Sequence, residues 1–552
     1  MENKTTNPII GYVLLDSFNN EDDLVPVLTD QDTAKLIASR RYVLIEETGQ
    51  RQKKYFAQII KGPLHTPEWG TSTDGQNVFP IVKGEEIAFV PSFHSYYLAK
   101  VLGEIVESEE VKMLQTAFTR PTPKSQVTYI PKDELYDYLQ LTTDKTPMGI
   151  LSNYGTDDPV PFYITDKLVN RQLGIFGSTG SGKSNTVIAL AETLLERDWC
   201  VIIFDHAGEY YKMTEPSDEK YLFADYWRNL GITPKGIDKA KFRRFLPVVD
   251  NRNDSSAMKF SIQSKNIPYQ LIKSMLFPLS DAQERVLDKI KRDLGKNYTG
   301  IPSLKREIDG LPDGPDKDNK KQSDLSYMSK PVLSNKLASL ENLGIFDGGK
   351  HFDPGNPDDL FSDSQSSKSS TLAAEMLIKK ATINIIDLGN VGNPDIINII
   401  GLAVLTMLES AKNRINSTYK DVKVAVFLEE AHTFFSAEHA GRPEFANALT
   451  HITKRIFKIG RKFWLNPVVI SQQPADIPVG IMSQCVMRIT HQLADERDIQ
   501  IVGKGSAKQF TNMIPDLRKG ECLVTTPEIL APQIIRIRPA MAKKIDPQTD
   551  GE

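Results

Sequence analysis

This chain is short of cysteine, has no excess of either charge and carries no apolar run long enough to span a bilayer. Each shortage narrows what it can be. Its 552 residues include three cysteines, Cys200, Cys485 and Cys522, far apart and without a CxxC pair. That spacing suits neither a disulfide framework nor a thiolate metal site, and predicts buried thiols in a reducing compartment. A formal net charge of −4 excludes a basic nucleic-acid coat. Any contact with nucleic acid must then come from a local basic patch or a lined pore. Residues 1–8 are polar and lack the apolar core of a secretory signal. The most apolar long stretch, 396–408, is too short for a membrane span, contains Asn398 and is flanked by Asp395 and Glu409. It predicts a buried helix in a cytoplasmic protein. There is no zinc-ligand spacing, no Ser/His/Asp set in a nucleophile elbow and no LSGGQ-like transporter signature.

With 40% hydrophobic and 25% charged residues, the composition is that of an ordinary globular protein. Its length predicts three or four structural units. Residues 8–130 alternate short apolar runs (9–15, 42–47, 55–60, 86–90, 104–107) with Asn, Asp, Gly and Pro, the pattern of a small β-barrel or sandwich. Residues 131–165 read as a connector. From about 166, strands alternate with long helices, which predicts a mostly parallel α/β sheet. Its strands are expected at 173–177, 200–205, 383–388, 424–428 and 467–471, and its helices at 183–197, 394–414 and 445–459. Residues 166–214 and 381–535 are thus two parts of one α/β domain. Between them, 215–380 reads as a mostly helical insertion, with helices at 260–272 and 281–294. The Asp-, Ser- and Gly-rich stretches 313–326 and 362–370 are expected to be mobile. Residues 536–552 form a tail.

The strongest motif is Gly177-Ser178-Thr179-Gly180-Ser181-Gly182-Lys183-Ser184, a complete GxxxxGK[ST] between a predicted strand and a predicted helix. Glycines let backbone N–H groups wrap phosphates closely, and the helix N-terminus adds partial positive charge. Lys183 supplies a point charge, and Ser184 a hydroxyl for Mg²⁺. Asn185, the next residue, is counted as a further nucleotide contact. A later apolar strand ends in Glu429-Glu430-Ala431-His432. Hydrolysis needs one carboxylate for the metal and one to deprotonate water, so Glu429 is assigned to Mg²⁺ and Glu430 to the base. The next strand ends in Ser471-Gln472-Gln473-Pro474, and either glutamine can sense the γ-phosphate. Together these predict an ATP hydrolase with a RecA-like P-loop domain.

The runs GIFGSTGSGKSNTV (174–187), FDHAGEY (204–210), VFLEEAHTFF (426–435), GRKFW (460–464) and VISQQPADIP (469–478) resemble the HerA branch of the HerA/FtsK superfamily in order and spacing. The resemblance implies a hexameric ring with ATP and Mg²⁺ between neighbouring subunits. It also implies a central channel for double-stranded DNA and a partner nuclease or other effector. Asp205 matches an acidic position at the end of the second strand, and Glu209 lies in the same segment. This loop departs from the usual DPHGEY form at His206-Ala207, which leaves the role of His206 open. Arg171, Arg455 and Arg461 match family arginines in position, and one of them is implied to act on a neighbour's nucleotide. A solvated surface charge is the plain alternative for each.

Two basic clusters stand apart. Lys454, Arg455, Lys458, Arg461 and Lys462 could support the nucleotide site or face DNA, and the first reading is preferred. Arg243 and Arg244, between Phe242 and Phe245, read as a helix edge in the insertion rather than a DNA contact. Two functions fit this pattern. One is a motor that threads or unwinds DNA for end processing with a nuclease. The other is an ATP-regulated scaffold that assembles an effector, as in bacterial antiphage defence. A membrane coupling ATPase is disfavoured by the lack of a transmembrane run.

Overall fold

A computed structural model describes residues 8–545 except 15–23, 31–32, 34–36, 38–39, 49–52, 68–92, 108–111, 140, 142, 155–158, 219–223, 313–323, 348–369, 415 and 436–442. The chain divides into two compact units rather than three or four. The first is Met1–Tyr163 with Pro527–Arg536, and the second Ile164–Thr526 with Ile537–Glu552.

In the first unit, β1 (Ile9–Val13), β2 (Leu24–Thr29), β3 (Tyr42–Glu46), β4 (Lys54–Pro67), β5 (Phe93–Glu107), β6 (Lys112–Gln115) and β7 (Gln126–Tyr129) form an antiparallel sheet. Its order is β2-β1-β7-β3-β4-β5-β6, and β5 pairs back to β2, closing six strands into a barrel. Closure works because β4 and β5 are long and change register along their length, at bulges that bend the ladder. Alternate side chains point inward, so Val27, Val43, Ile45, Tyr55, Ala57, Ile59, Tyr97 and Val127 make a buried core. The expected strand at 86–90 lies outside the described residues. Strands β2 and β7 were not anticipated, because Pro26 interrupts one run and the other has only four residues. The segment 131–165 holds helix Lys132–Leu139 and the antiparallel pair β8 (Gly149–Leu151) and β9 (Pro161–Phe162).

The second unit is built on β10 (Leu173–Phe176), β11 (Cys200–Asp205), β12 (Phe242–Pro247), β13 (Met258–Ser261), β14 (Ser370–Thr371), β15 (Thr382–Asp387), β16 (Val424–Leu428), β17 (Leu465–Ser471), β18 (Met487–Thr490) and β19 (Glu521–Thr525). The order is β14-β13-β12-β15-β11-β16-β17-β10-β18-β19. Every neighbouring pair is parallel except β18 with β19. Strands β10, β11, β15, β16 and β17 are buried along their whole length, as continuous apolar runs must be when helices cover both faces. Strand β20 (Gln533–Ile537) then carries the chain back beside β8.

The insertion corrects one expectation. Residues 260–272 are not one helix, since Phe260 and Ser261 close β13 and the helix starts only at Tyr269, after Pro268. Strands β12, β13 and β14 extend the central sheet, and Phe242 to Phe245 is a strand, not a helix edge. Helices Asp281–Leu294 and Ile301–Asp309 pack against Asp324–Glu341. Residues 313–323 and 362–369, expected to be mobile, lie outside the described residues. The apolar stretch at 396–408 belongs to a longer helix, Pro394–Asn413. Among the described residues it alone has the length and apolarity to cross a membrane, but 72% of its apolar window is buried within the fold. Gly401 lets it pack closely, because a Cβ there would lie 3.2 Å from Leu449 and 3.3 Å from Phe434. All three cysteines are free and buried.

Candidate active site

Parallel strands present their C-terminal ends along one edge, and the loops leaving those ends make the site. Strand β17 lies between β10, which feeds the glycine loop, and β16, which ends at the acid pair. Phe176 of β10 is in register with Ser471 of β17. The glycine loop, Gln472 and Glu430 therefore come from adjacent strand tips.

After β10 the chain turns through Gly177–Gly182 into helix Lys183–Glu196. Gly180 has φ +76° and Gly182 φ +115°, a left-handed backbone that any Cβ would strain. Space around Gly180 is open, with nothing within 4 Å of where a Cβ would sit. The loop is held from behind, where Ser178 N donates to Gln492 O at 2.8 Å and Ser181 Oγ to Ser178 O at 2.7 Å. Lys183 is buried and its Nζ donates to Ser178 O at 3.0 Å. Burial lowers its pKa, while the charges of Glu430, Glu429 and Glu209 oppose that shift.

The acid pair sits where β16 turns into helix Ala431–Phe435. Glu430 adopts φ +47°, a left-handed conformation uncommon for a residue with a side chain. Its carboxylate accepts from Gln472 Nε2 and lies 3.4 Å from His432 Nδ1. Thr179 Oγ1 donates to the other end of the Gln472 amide. The structure thus separates the two glutamines: Gln472 bridges the glycine loop to Glu430, while Gln473 is exposed. Glu429 is buried; Oε1 accepts from the Tyr210 hydroxyl and Oε2 has no hydrogen-bond partner. Burial pushes its pKa well above the carboxylate range, helped by Asp205, Glu209 and Glu430.

Two expected nucleotide contacts are engaged elsewhere. Asp205 accepts from the N–H groups of Gly208 (2.7 Å), Glu209 (3.0 Å) and Tyr210 (3.0 Å), so it shapes the 206–210 turn. Burial and nearby Asp387 raise its pKa to about 7. Both ends of the Asn185 amide hold the C-terminal segment, donating to Arg538 O at 2.9 Å and accepting from Ala540 N at 2.8 Å. Glu209 does reach the cluster, and Lys544 lies 3.4 Å from its carboxylate. Burial lowers the pKa of His206, and Glu430 opposes the shift.

The three arginines are not brought to this cluster. Arg171 precedes β10 and Arg461 precedes β17, at the edge where these strands begin. Seven residues of β17 put roughly 20 Å between that edge and Gln472. Gln172 hydrogen-bonds Phe457 O, tying the Arg171 turn to helix Pro443–Phe463, which carries Arg455 and Arg461. Arg455 pairs with Glu409, and Arg461 is exposed. Arg243 donates to Met376 O, and buried Arg244 pairs with Asp387 and Asp254, so neither heads a surface patch.

Sequence reasoning missed His491, which is fully buried behind the glycine loop. Its Nδ1 faces Glu521 O at 2.9 Å and its Nε2 Thr186 Oγ1 at 2.8 Å. Nδ1 must carry the proton, and burial holds the ring neutral with a pKa near 4. Tyr210 and the Glu192–Arg538 ion pair (2.7 Å) were missed as well. Their partners are distant in sequence, and only the FDHAGEY run hinted at Tyr210.

Among the described residues no three His, Cys, Asp or Glu side chains converge as a metal cage. Mg²⁺ needs none, since it usually takes one or two protein ligands and completes its shell with phosphate and water oxygens. The partnerless Oε2 of Glu429 beside Lys183 and an open glycine loop fits Mg²⁺ with a nucleoside triphosphate.

This combination of loop, acid pair and sensor across three adjacent parallel strands defines a P-loop ATPase. Residues 148–405 match the family model for the central domain of helicase HerA. A DNA double-strand break repair helicase HerA from Sulfolobus acidocaldarius is 24% identical over 67% of this chain and 65% of its own length. A probable DNA double-strand break repair helicase HerA from Methanocaldococcus jannaschii is 25% identical over 84% of this chain and 89% of its own. Over this central region and in these relatives the chain is similar to the HerA-type ATPases. Among solved structures, VirB4 of Thermoanaerobacter pseudethanolicus aligns with 14% identity and a TM-score of 0.43, over 72% of this chain and 96% of that one. The plasmid coupling protein TrwB, solved with ADP and Mg²⁺, aligns with 14% identity and a TM-score of 0.41, over 74% of this chain and 92% of that one.

Proposed function

We propose that this chain forms a hexameric ring in the cytoplasm that hydrolyses ATP to move along, or unwind, double-stranded DNA beside a partner nuclease or effector. End processing or antiviral defence is the setting. The reading is carried by one arrangement: the glycine loop, Lys183, Glu429, Glu430 and Gln472 gather at one edge of the sheet, while Arg171 and Arg461 lie toward the other and Arg455 is held by Glu409. No arginine of the three reaches its own subunit's loop, so any that acts on phosphate acts on a neighbour's, as a ring requires. The names of the curated relatives supply the DNA.

The loop N–H groups and Lys183 bind the β- and γ-phosphates. Ser184 and Glu429 would hold Mg²⁺, which when bound neutralises phosphate charge. Glu430 orients the attacking water and accepts its proton. Gln472 fixes Glu430 relative to the loop through Thr179, so a shift of the loop on γ-phosphate loss is transmitted to the base. An arginine donated across the subunit boundary is worth roughly 10³–10⁵ in rate.

The test measures particle mass and ATPase rate with and without duplex DNA. A six-subunit mass and a rate raised by duplex support the reading. If DNA leaves the rate unchanged while a partner protein alters it, the ring is a scaffold and the motor reading fails. Arg461→Ala should lower kcat in the assembled particle while leaving the subunit folded. If Arg171→Ala, Arg455→Ala and Arg461→Ala all keep the parental kcat, the trans arginine lies elsewhere.

A further inference from the structure

The HAGEY turn does more than border the site. Asp205 gathers the N–H groups of Gly208, Glu209 and Tyr210, which fixes the backbone of Tyr210 at the tip of β11. The tyrosine is completely buried, and its hydroxyl donates to Glu429 Oε1 on the adjacent strand, 219 residues later in the chain. Glu429 Oε2 stays buried and without a partner. A carboxylate pinned by one oxygen cannot rotate freely about its last torsion, so the other oxygen is presented in one direction. We infer that Tyr210 is a positioning residue that sets the Glu429 carboxylate for a divalent cation, with Asp205 as the anchor that sets Tyr210. Partners of this kind, one bond behind a metal-binding group, typically change metal affinity by about 10–100-fold when removed.

This inference rests on the ATPase reading above. It separates the two strand-end acids by function. Both oxygens of Asp205 are engaged by the turn. Its effect reaches the cation through the tyrosine, and the turn residues matter for where they hold one hydroxyl.

The experiment compares the parent with Tyr210→Phe, which removes one oxygen and keeps the ring. A fluorescent ATP analogue is titrated in EDTA and again across a Mg²⁺ series, and steady-state ATPase is followed over the same series. The expected result is unchanged affinity in EDTA, a half-saturating Mg²⁺ concentration about 10-fold higher, and a kcat recovered toward the parental value at high Mg²⁺. In a Glu429→Gln background, Tyr210→Phe should cause no further loss of Mg²⁺ response. An unchanged Mg²⁺ dependence in Tyr210→Phe overturns the inference. So does an equal loss of nucleotide affinity with and without Mg²⁺, which marks general loosening. Should Tyr210→Phe fail to fold, Asp205→Asn reads out the same anchor and must raise the Mg²⁺ requirement in the same direction. A parent protein that binds no ATP, or needs no divalent ion, would instead sink the ATPase reading itself.

Discussion

Two groups of buried acids lie side by side at the strand tips of the second unit, and they are balanced differently. Asp387 ends β15 in register with Asp205 at the end of β11. Asp387 is met by Arg244 at 2.7 Å and Arg252 at 2.8 Å, and Arg252 also pairs with Asp250. Asp387, Asp250 and the partly exposed Asp254 there share two arginines, Arg244 and Arg252. On the other side, Asp205, Glu209, Glu429 and Glu430 crowd around Lys183 and Lys544. Burial raises the pKa of Glu429, and the charges of Asp205, Glu209 and Glu430 add to the shift. In the first group each aspartate has an arginine partner within the chain, while the second sets four acids against two lysines and suits a cation. Identical residue types are structural in one place and chemical in the other, and the supply of local arginine decides which.

The largest expected effect tests the unbalanced group. Lys183→Ala should abolish turnover and weaken nucleotide binding together. Glu430→Gln should keep ATP bound yet slow phosphate release by about 10²–10⁴-fold, because an amide cannot accept the water's proton. Normal turnover in Glu430→Gln would remove Glu430 from the base role and blur the contrast. Neither substitution should cost much stability.

Arg244→Ala should act the other way. It leaves the buried Asp387 short of its partner and should destabilise the fold by about 3–5 kcal/mol, read by urea denaturation. A loss under about 1 kcal/mol would mean that the balanced group is no structural necessity.

A smaller effect, in pH, sharpens the contrast. His491 has its pKa near 4 in the folded chain against an ordinary value near 6.5. The unfolded chain binds that proton more tightly, so the contribution of His491 is complete above pH 6.5 and lost as pH falls toward 4. Asp205, raised to about 7, runs oppositely: its contribution is complete below about pH 4 and lost as pH rises to 7. The windows are worth at most about 3 kcal/mol for His491 and about 4 kcal/mol for Asp205. In the parent the two slopes offset. Thermal melts from pH 4.5 to 7.5 should therefore show His491→Gln steepening the loss of stability toward neutral pH, and Asp205→Asn steepening the loss toward acid. Parallel curves for all three proteins would refute both assignments.

The sequence made the chemistry of the second unit legible because that chemistry is local. GSTGSGKS, the glutamate pair and the glutamine pair each sit within a few residues of a strand end, where period and composition point. Gln472 could be told from Gln473 only by what each side chain touches. Interactions across the chain left no such mark. Tyr210 lies 219 residues from Glu429 and Arg244 lies 143 from Asp387, and no spacing rule covers those distances. The insertion misled for a related reason. Strand β12 is recognisable by pairing with β15, and its own six residues, FRRFLP, carry two arginines that look exposed until their aspartates are placed. The side chain of Asn185, next to Lys183 and Ser184, is instead engaged by residues 538 and 540, which no local spacing announces.

The segment after β20 bears on how a subunit matures. Arg538 pairs with Glu192, whose other oxygen accepts from the N–H groups of Met541 and Ala542, and Asn185 grips the same stretch. The helix behind the phosphate loop thus emerges from the ribosome 346 residues before the arginine that neutralises it. Until then Glu192 has neither its ion-pair partner nor its backbone donors. A chain ending before Arg538 leaves the buried Glu192 without its ion-pair partner and both backbone donors, so the helix behind the phosphate loop is fully satisfied only once the segment after β20 is in place.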